Sequence, residues 1–170
     1  MIYRVLKKQN NSEMCFVCGI SNLAGLHTSF YELEQGKLLG LFKGQDIHQS
    51  YPQRMHGGII VALLDETIGR ALSIEEPEFW GVTVELTIKY LKPVPLDQEL
   101  KAVGWLTSNR RLLFEGQGYL ADEHNDILAT CQAKYMKQSV DTIVKDDHFV
   151  EEQWIYVADE IMPLSFDLPK

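Results

Sequence analysis

The feature that most constrains the fold of this chain is a predicted helix whose first turns are apolar on every side. The pattern predicts a helix from about Ile59 to Ser73, opened by the pair Gly57-Gly58. Its first turns, residues 59–64, read IIVALL and offer no polar face. A helix of this kind is stable only when it is buried all round. Other parts of the chain must therefore wrap it.

Strand-forming segments on both sides of the helix can supply that wrapping. The six predicted strands cover residues 26–34, 37–43, 80–91, 100–107, 112–121 and 127–136. The last four follow one another with short connections, which is typical of an antiparallel sheet. One early buried helix and a run of antiparallel strands predict an α+β fold.

The chain divides into three segments of different character. Residues 1–25 are rich in turn formers and are predicted to be an irregular N-terminal segment. Residues 26–139 are predicted to be a single domain, and residues 140–170 an acidic C-terminal extension. Apolar residues from Trp154 to Ile161 recur at helical spacing, which predicts a short amphipathic helix in that extension.

The charge of the chain excludes several classes of partner. Its 170 residues hold 16 Lys and Arg against 24 Asp and Glu, a net charge of −8. An acidic protein is a poor candidate for binding nucleic acid or an anionic membrane. Residues 141–170 carry −6 of that charge, so the nearly neutral body can still bind a small polyanion. With no signal peptide and no apolar run long enough to span a bilayer, a cytoplasmic protein is expected.

The residues that carry chemistry lie on the predicted helix. His56-Gly57-Gly58 stand at its start, where backbone N–H groups are free and the partial charge is positive. Glycine lets an oxygen approach that backbone closely, which suits an oxyanion formed on a carbonyl, and His56 can donate to the same oxygen. Asp65, in an otherwise apolar stretch, is costly unless it is paired or used. Such a carboxylate can activate water or attack directly.

Helix geometry separates these two groups. Gly57 and Asp65 are eight residues apart, which is about 12 Å along a helix. A base, a water and a carbonyl must approach each other to within about 3 Å. The simplest solution is two antiparallel helices from two chains, so that each site takes Gly57 from one chain and Asp65 from the other.

The stretch HGGIIVALLDETIGRAL, followed by GVTVELTIKYLKPVP, resembles the hotdog-fold acyl-CoA thioesterases of the phenylacetic-acid-degradation type. The upstream segments CFVCG…NLAGLH and HQSYP resemble one branch of the same superfamily, so the resemblance extends over residues 14–138. It implies a long central helix wrapped by a strongly curved antiparallel sheet. It also implies a homodimer or a dimer of dimers, with sites at the dimer interface.

The resemblance assigns roles residue by residue. Gly57 matches the glycine whose N–H polarises the thioester carbonyl, and His56 the histidine that orients it. Asp65 matches the carboxylate that acts as base or nucleophile, and Thr83 a hydroxyl residue that holds the water. The implied reaction is hydrolysis of an acyl-CoA to free acid and CoA. It runs through activated water or a transient anhydride, and neither route needs a metal or a cofactor.

Further residues are candidates for binding the acyl-CoA. Gly58 can add a second N–H donor, and Gln49 or Ser50 stands where some relatives have Asn or Gln. CoA is a polyanion and needs local bases. The candidate bases are Arg110, Arg111 and Lys92, and the full set of candidate substrate-binding residues is Gly58, Gln49, Ser50, Arg110, Arg111 and Lys92. For each base, an ordinary solvated charge is an equally good interpretation.

Simpler interpretations stand beside these roles. His56 can merely cap the helix, and Thr83 can be a plain strand residue. Asp65 can pair with Arg70, although a spacing of five is poor for a helix. Glu66 faces about 100° away from Asp65 and is typical of a solvated or interface position.

The cysteines offer no clear site. Cys15 and Cys18 have the spacing of a zinc knuckle, but the sequence has no second pair of ligands, so small buried thiols are the expected answer. Cys131 is expected to pack in the core.

Two rival functions remain. One is a non-catalytic binder or sensor of acyl-CoA on the same fold. The other is a hotdog dehydratase or hydratase, which the absence of a D-x4-H pattern around the helix disfavours.

Overall fold

The predicted helix lies on one face of a large antiparallel sheet. The computed structural model describes residues 1–144 and 153–169. Helix α1 covers Gly57–Arg70 and continues as a 3₁₀ turn, Ala71–Ile74. The short helix α2 covers Val140–Ile143. The strands are β1 (Ile2–Lys8), β2 (Asn11–Ser12), β3 (Ser29–Leu33), β4 (Lys37–Lys43), β5 (Phe79–Tyr90), β6 (Glu99–Asn109), β7 (Leu113–Ala121), β8 (Ile127–Ser139), β9 (Trp154–Ile155) and β10 (Ser165–Asp167).

Eight of these strands form one sheet in the order β10-β1-β3-β4-β6-β7-β8-β5, and all of its pairings are antiparallel. Strands β2 and β9 make a separate two-stranded ribbon. The α+β class and the six predicted strands are confirmed. The helix begins two residues earlier than predicted, at Gly57. No helix in the described part of the chain is long and apolar enough to cross a membrane.

Small residues let the helix lie close to the sheet. A side chain at Gly116 on β7 would place its Cβ in a clash with Cγ2 of Ile68 and 2.9 Å from the Trp105 carbonyl oxygen. At Gly104 on β6 the Cβ would lie 3.0 Å from the Ile68 Cα. Both distances are shorter than ordinary van der Waals contact, so glycine at these positions is required for this close approach.

The prediction that α1 is buried all round is wrong for a single chain. Its sheet-facing residues are buried: Ile60, Leu63, Leu64, Thr67 and Ile68. The opposite side, which carries Val61, Asp65 and Glu66, is only half-buried. The physical reason is that β5, the strand next to this side, is the edge of the sheet and exposes Val82 and Val84 (41% and 59%). An apolar edge strand of this length is a surface on which another strand can pair.

The prediction that residues 1–25 are irregular is wrong for Ile2–Lys8. This segment forms β1, which pairs with β3 on one side and with β10 on the other. Tyr3 is buried in an apolar cluster on the face of the sheet that points away from α1, together with Val103 and Leu168. The C-terminal strand β10 is therefore an edge strand of the sheet and lies next to the N-terminal strand β1.

The predicted amphipathic helix in the C-terminal extension is also wrong. Trp154–Ile155 is strand β9, and residues 156–162 form no regular element. Two specific contacts hold this segment extended: Asp159 pairs with the buried Lys8 and accepts a hydrogen bond from the Tyr31 hydroxyl at 3.0 Å. Several charges of the extension lie outside the described residues: Lys145, Asp146, Asp147, Glu151, Glu152 and Lys170.

Candidate active site

The start of α1 is organised by His56. The Nδ1 atom of His56 accepts a hydrogen bond from the Gly58 N–H at 2.9 Å, and its carbonyl accepts from Ile59 N–H at 3.0 Å. His56 is therefore the N-cap of the helix. An acceptor role for Nδ1 places the ring proton of a neutral imidazole on Nε2. The capping role thus leaves an exposed histidine with a donor available to a ligand.

Gly57 presents a second donor beside it. Among the described residues, no acceptor pairs with the Gly57 N–H. The Gly58 N–H, by contrast, is already engaged by His56. The Gly57 carbonyl accepts a hydrogen bond from the Tyr90 hydroxyl at 2.9 Å, a contact that sequence reasoning missed. Of the two glycines, only Gly57 has its N–H available to a substrate oxygen.

Gln49 and Ser50 lie in a tight hairpin that leads into the helix. Ser50 N–H donates to the Arg54 carbonyl at 2.8 Å, and Gln49 bridges to Met55. The His56 N–H donates to the carbonyl of the buried His48 at 2.9 Å. The hairpin is thereby fixed against the start of α1, with Gln49 and Ser50 exposed.

Asp65 lies two turns further along α1 and contacts Thr83 on β5. The Thr83 hydroxyl lies 2.9 Å from Oδ1 and 3.1 Å from Oδ2 of Asp65, and the Tyr135 hydroxyl donates to the Asp65 main-chain carbonyl at 2.9 Å. Burial raises the pKa of Asp65, and the hydrogen bond from Thr83 opposes that rise. Within the described residues, no cation forms an ion pair with this carboxylate. The structure therefore brings Asp65 and Thr83 together.

The neighbouring Glu66 has a different environment. Arg70 Nε donates to Oε1 of Glu66 at 2.7 Å, so the partner of Arg70 is Glu66 rather than Asp65. The guanidinium of Arg70 also lies over the ring of Trp154, 4.7 Å from its centroid. Glu66 is thus half-buried and ion-paired rather than simply solvated, and the interpretation of Glu66 as an interface residue stays a prediction.

A cavity of about 420 Å³ opens beside Asp65. Its wall includes Asp65, Glu66, Thr83, Cys15, Trp80 and Trp154. Neither His56 nor Gly57 reaches this wall. Because Gly57 and Asp65 are the first and ninth residues of one helix, about 12 Å of rise separates them within a chain.

The candidate bases lie at opposite ends of α1. Arg110 and Arg111 are exposed in the β6–β7 turn, next to Asn109, which binds Glu75 and Glu76 just beyond the end of the helix. Lys92 follows Tyr90 near the start of the helix and forms an exposed ion pair with Asp126 at 2.8 Å. A single chain does not bring these bases together.

Comparison with known proteins identifies a matching family model and solved structures of similar architecture. Residues 53–125 match the family model described as thioesterase superfamily. No curated protein sequence matches the chain. Among solved structures, the chain is similar to a thioesterase superfamily protein at 23% identity and a TM-score of 0.67, over 72% of this chain and 59% of that one. It thus spans less than two thirds of that relative.

Two other solved structures show the same architecture. One is the Escherichia coli PaaI protein from the phenylacetic acid degradation operon, with 16% identity and a TM-score of 0.61 over 67% of this chain and 81% of that one. The other is a Streptococcus mutans protein bound to acetyl-CoA, with 22% identity and a TM-score of 0.59 over 66% of this chain and 89% of that one. These matches confirm the hotdog fold. Together with the family model, they confirm the resemblance to the hotdog thioesterase superfamily.

Proposed function

We propose that this protein hydrolyses the thioester bond of an acyl-CoA, releasing the free acid and CoA. The observation that carries the proposal is Asp65: a half-buried carboxylate at a cavity wall, held by Thr83 and paired with no cation in the described part of the chain. A structural carboxylate in such a position would be expected to have a cationic partner. A carboxylate that acts as a base or a nucleophile would not be expected to have such a partner.

The site is proposed to form between two chains. Strand β5 is a sheet edge with exposed valines, and the half-buried side of α1 lies next to it. Antiparallel pairing of β5 with a second copy would continue the sheet and set the two α1 helices side by side in opposite directions. Asp65 of one chain would then face Gly57 of the other, and two-fold symmetry would repeat the same contact in a second site.

In this arrangement each group has one task. The Gly57 N–H and the His56 Nε2–H donate to the thioester oxygen and stabilise the negative charge that develops there. Asp65 either removes a proton from the attacking water or attacks the carbonyl and forms an anhydride that water then opens. The Thr83 hydroxyl orients the Asp65 carboxylate. On both routes the acyl group ends as a carboxylate, and the sulfur leaves with CoA.

Two similarities support acyl-CoA as the substrate class: the match to the thioesterase superfamily over residues 53–125, and the likeness to the Streptococcus mutans structure bound to acetyl-CoA. The rival is a non-catalytic binder on the same fold, because fold alone does not establish catalysis. Asp65 favours the enzyme, since a binder gains nothing from a desolvated carboxylate.

A panel of acyl-CoA thioesters, assayed for released thiol with wild-type protein and with Asp65→Asn, tests the proposal. We expect turnover of at least one member by the wild type and none by the variant. Binding of the panel without turnover of any member would favour the binder.

A further inference from the structure

The second feature of the cavity wall is a pair of cysteines that hydrolysis does not use. Cys15 and Cys18 lie in a turn above the C-terminal half of α1. One atom each from Cys15, Cys18 and Glu66 lie within 4.8 Å of one another. Cys15 is half-buried and lines the cavity, whereas Cys18 is completely buried behind it. One thiol is thus accessible from the cavity, and the other is protected next to it.

Hydrogen-bond donors point at both sulfur atoms. Arg70 Nη2 donates to the Cys18 Sγ at 2.9 Å, and the Ser12 N–H donates to the same atom at 3.4 Å. The Val17 N–H donates to the Cys15 Sγ at 3.3 Å. A hydrogen bond from the Cys18 thiol lowers the pKa of Cys15 to about 6, while the same bond and burial raise the pKa of Cys18. Cys15 is thus both the more accessible and the more easily deprotonated of the two thiols.

The surroundings argue against a metal ion at this pair. Two thiols and a carboxylate are suitable ligands for zinc. The guanidinium of Arg70, however, already contacts the Cys18 sulfur and the Glu66 carboxylate, and it would repel a divalent cation there. A thiol that is accessible from a cavity, with a second, buried thiol beside it, is instead the arrangement of an oxidation-sensitive pair.

We propose that Cys15 and Cys18 form a dithiol modification site that a peroxide oxidises to a disulfide, which slows thioester turnover. The effect on turnover rests on the proposed function; formation of the disulfide does not. The oxidant is hydrogen peroxide or an organic hydroperoxide.

The reaction balances in two steps. The Cys15 thiolate attacks one peroxide oxygen, the O–O bond breaks, and the leaving oxygen takes a proton as water or alcohol. Cys15 is then a sulfenic acid. The Cys18 sulfur attacks the Cys15 sulfur, the S–O bond breaks, and the hydroxyl leaves as water with the proton from Cys18. The sulfur pair has lost two electrons, and the peroxide has gained them.

Oxidation changes the wall of the cavity. The disulfide draws the Cys15 sulfur toward Cys18 and removes the S–H that Cys15 directs at Oε1 of Glu66, 3.9 Å away. It also weakens the hydrogen bond that the Cys18 sulfur accepts from Arg70, whose guanidinium is held between Glu66 and the ring of Trp154. Because Glu66 is adjacent to Asp65 on α1, we expect kcat/KM to fall several-fold, mainly through KM, and to return on reduction.

The test treats the reduced full chain with hydrogen peroxide. Intact mass, peptide mapping and kcat/KM are measured before oxidation, after it, and after dithiothreitol. We expect the wild type to lose two hydrogens, to yield a Cys15–Cys18 linked peptide and to lose turnover reversibly. Cys131→Ala is the matched control and should behave as wild type, because Cys131 is buried and burial raises its pKa to about 12.

Two variants separate the steps. Cys18→Ser should gain one oxygen at Cys15 and form no disulfide, and Cys15→Ser should keep its untreated turnover after peroxide. Retention of both thiols by the wild type, or a Cys15–Cys18 disulfide with unchanged turnover, would overturn the proposal. If the reduced protein hydrolyses no thioester, the proposed function fails and the effect on turnover fails with it. The mass still decides whether the pair is oxidised.

Discussion

The first turn and the middle of helix α1 provide two halves of a reaction by different physical means. At the first turn, the donors are a backbone N–H of Gly57 and the ring of an exposed histidine. In the middle, the group is a half-buried carboxylate whose state depends on burial and on one hydroxyl. The first half takes one donor from the backbone and one from the His56 ring. The second half depends on one side chain.

The largest effect is expected at the side-chain half. Asp65→Asn keeps the size of the side chain and an acceptor for Thr83 but removes the base, so kcat should fall by about 10²–10⁴-fold, the usual worth of such a group. Released thiol measures turnover, and circular dichroism checks the fold. Asp97→Asn is the matched control, because Asp97 is exposed in a loop at a positive φ of 62° that Asn tolerates. Near-normal turnover by Asp65→Asn would refute the assignment.

The backbone half can be broken with almost no other change. Gly57 is the first helical residue, where proline is well tolerated, and His56 before it has φ −66° and ψ 134°, which suits a residue preceding proline. Gly57→Pro therefore removes the N–H while preserving the helix, and kcat should fall by about 10²–10³-fold, as for loss of an oxyanion donor.

Gly57→Ala is the control for this change. It keeps the N–H and adds a Cβ that lies 3.1 Å from the Tyr90 hydroxyl oxygen, as the proline ring also would. Its loss of kcat should be much smaller. Equal losses for the two variants would mean that the N–H is not used.

His56 caps α1 and is also proposed to donate to the thioester oxygen, and substitutions can separate these two roles. His56→Ala should lower both kcat and the free energy of unfolding, the latter by about 1 kcal/mol for a lost cap. His56→Asn restores a strong N-cap residue and should recover stability but not kcat. Chemical denaturation and turnover of the two variants make the comparison. Recovery of kcat by Asn would reduce His56 to a cap.

The smallest effect is a shift in pH dependence. Burial raises the pKa of Asp65, so kcat/KM should fall on acidification around a pKa above that of an ordinary aspartate. Thr83→Val removes the hydrogen bond that stabilises the carboxylate, so the pKa should rise further and the acidic limb should move to higher pH. An unmoved limb would show that Thr83 does not act through Asp65.

The same shift has a consequence for stability. Because the pKa of Asp65 is higher in the folded chain than in the unfolded chain, its contribution favours folding below the unfolded pKa. That contribution is lost as the pH rises through the folded pKa. At neutral pH, the free energy of unfolding of Asp65→Asn, measured by denaturant titration, should therefore be at least as large as that of the wild type. A clear loss of stability would show that the carboxylate is a structural partner.

The sequence predicted the parts of this molecule that depend on local pattern. The helix after Gly57 and the strand-forming segments that follow it are both short-range signals, and both elements were confirmed. Burial of the helix on all sides depends on longer-range contacts, and that prediction was wrong for a single chain. Strand β1 was missed because its burial depends on β3 and on β10, which lies near the other end of the chain. The tail around Trp154 has helical spacing, but its pairing with Asn11 and Ser12 overrides that pattern.

The candidate site divides in the same way. Asp65 and Thr83 were predicted from a motif, and their contact is a consequence of a helix packed against the next strand. The ion pair of Glu66 with Arg70 has the favourable i,i+4 spacing and was overlooked, because only Asp65 was considered as the partner of Arg70. The position of Cys15 was missed because it depends on a loop that folds back over the helix. The Tyr90 and Tyr135 hydroxyls were missed as well, since no sequence signal identifies the backbone carbonyl that such a hydroxyl contacts.

The central claim is that one site takes its two halves from two chains, and mixing of inactive variants tests it most directly. Gly57→Pro and Asp65→Asn proteins are unfolded together, refolded as a mixture, and assayed for thioester hydrolysis. The account predicts that a mixed dimer has one intact site, so an equal mixture in which half of the dimers are mixed should recover about a quarter of wild-type turnover. A mixture that forms mixed dimers and stays as inactive as its components would contradict the claim.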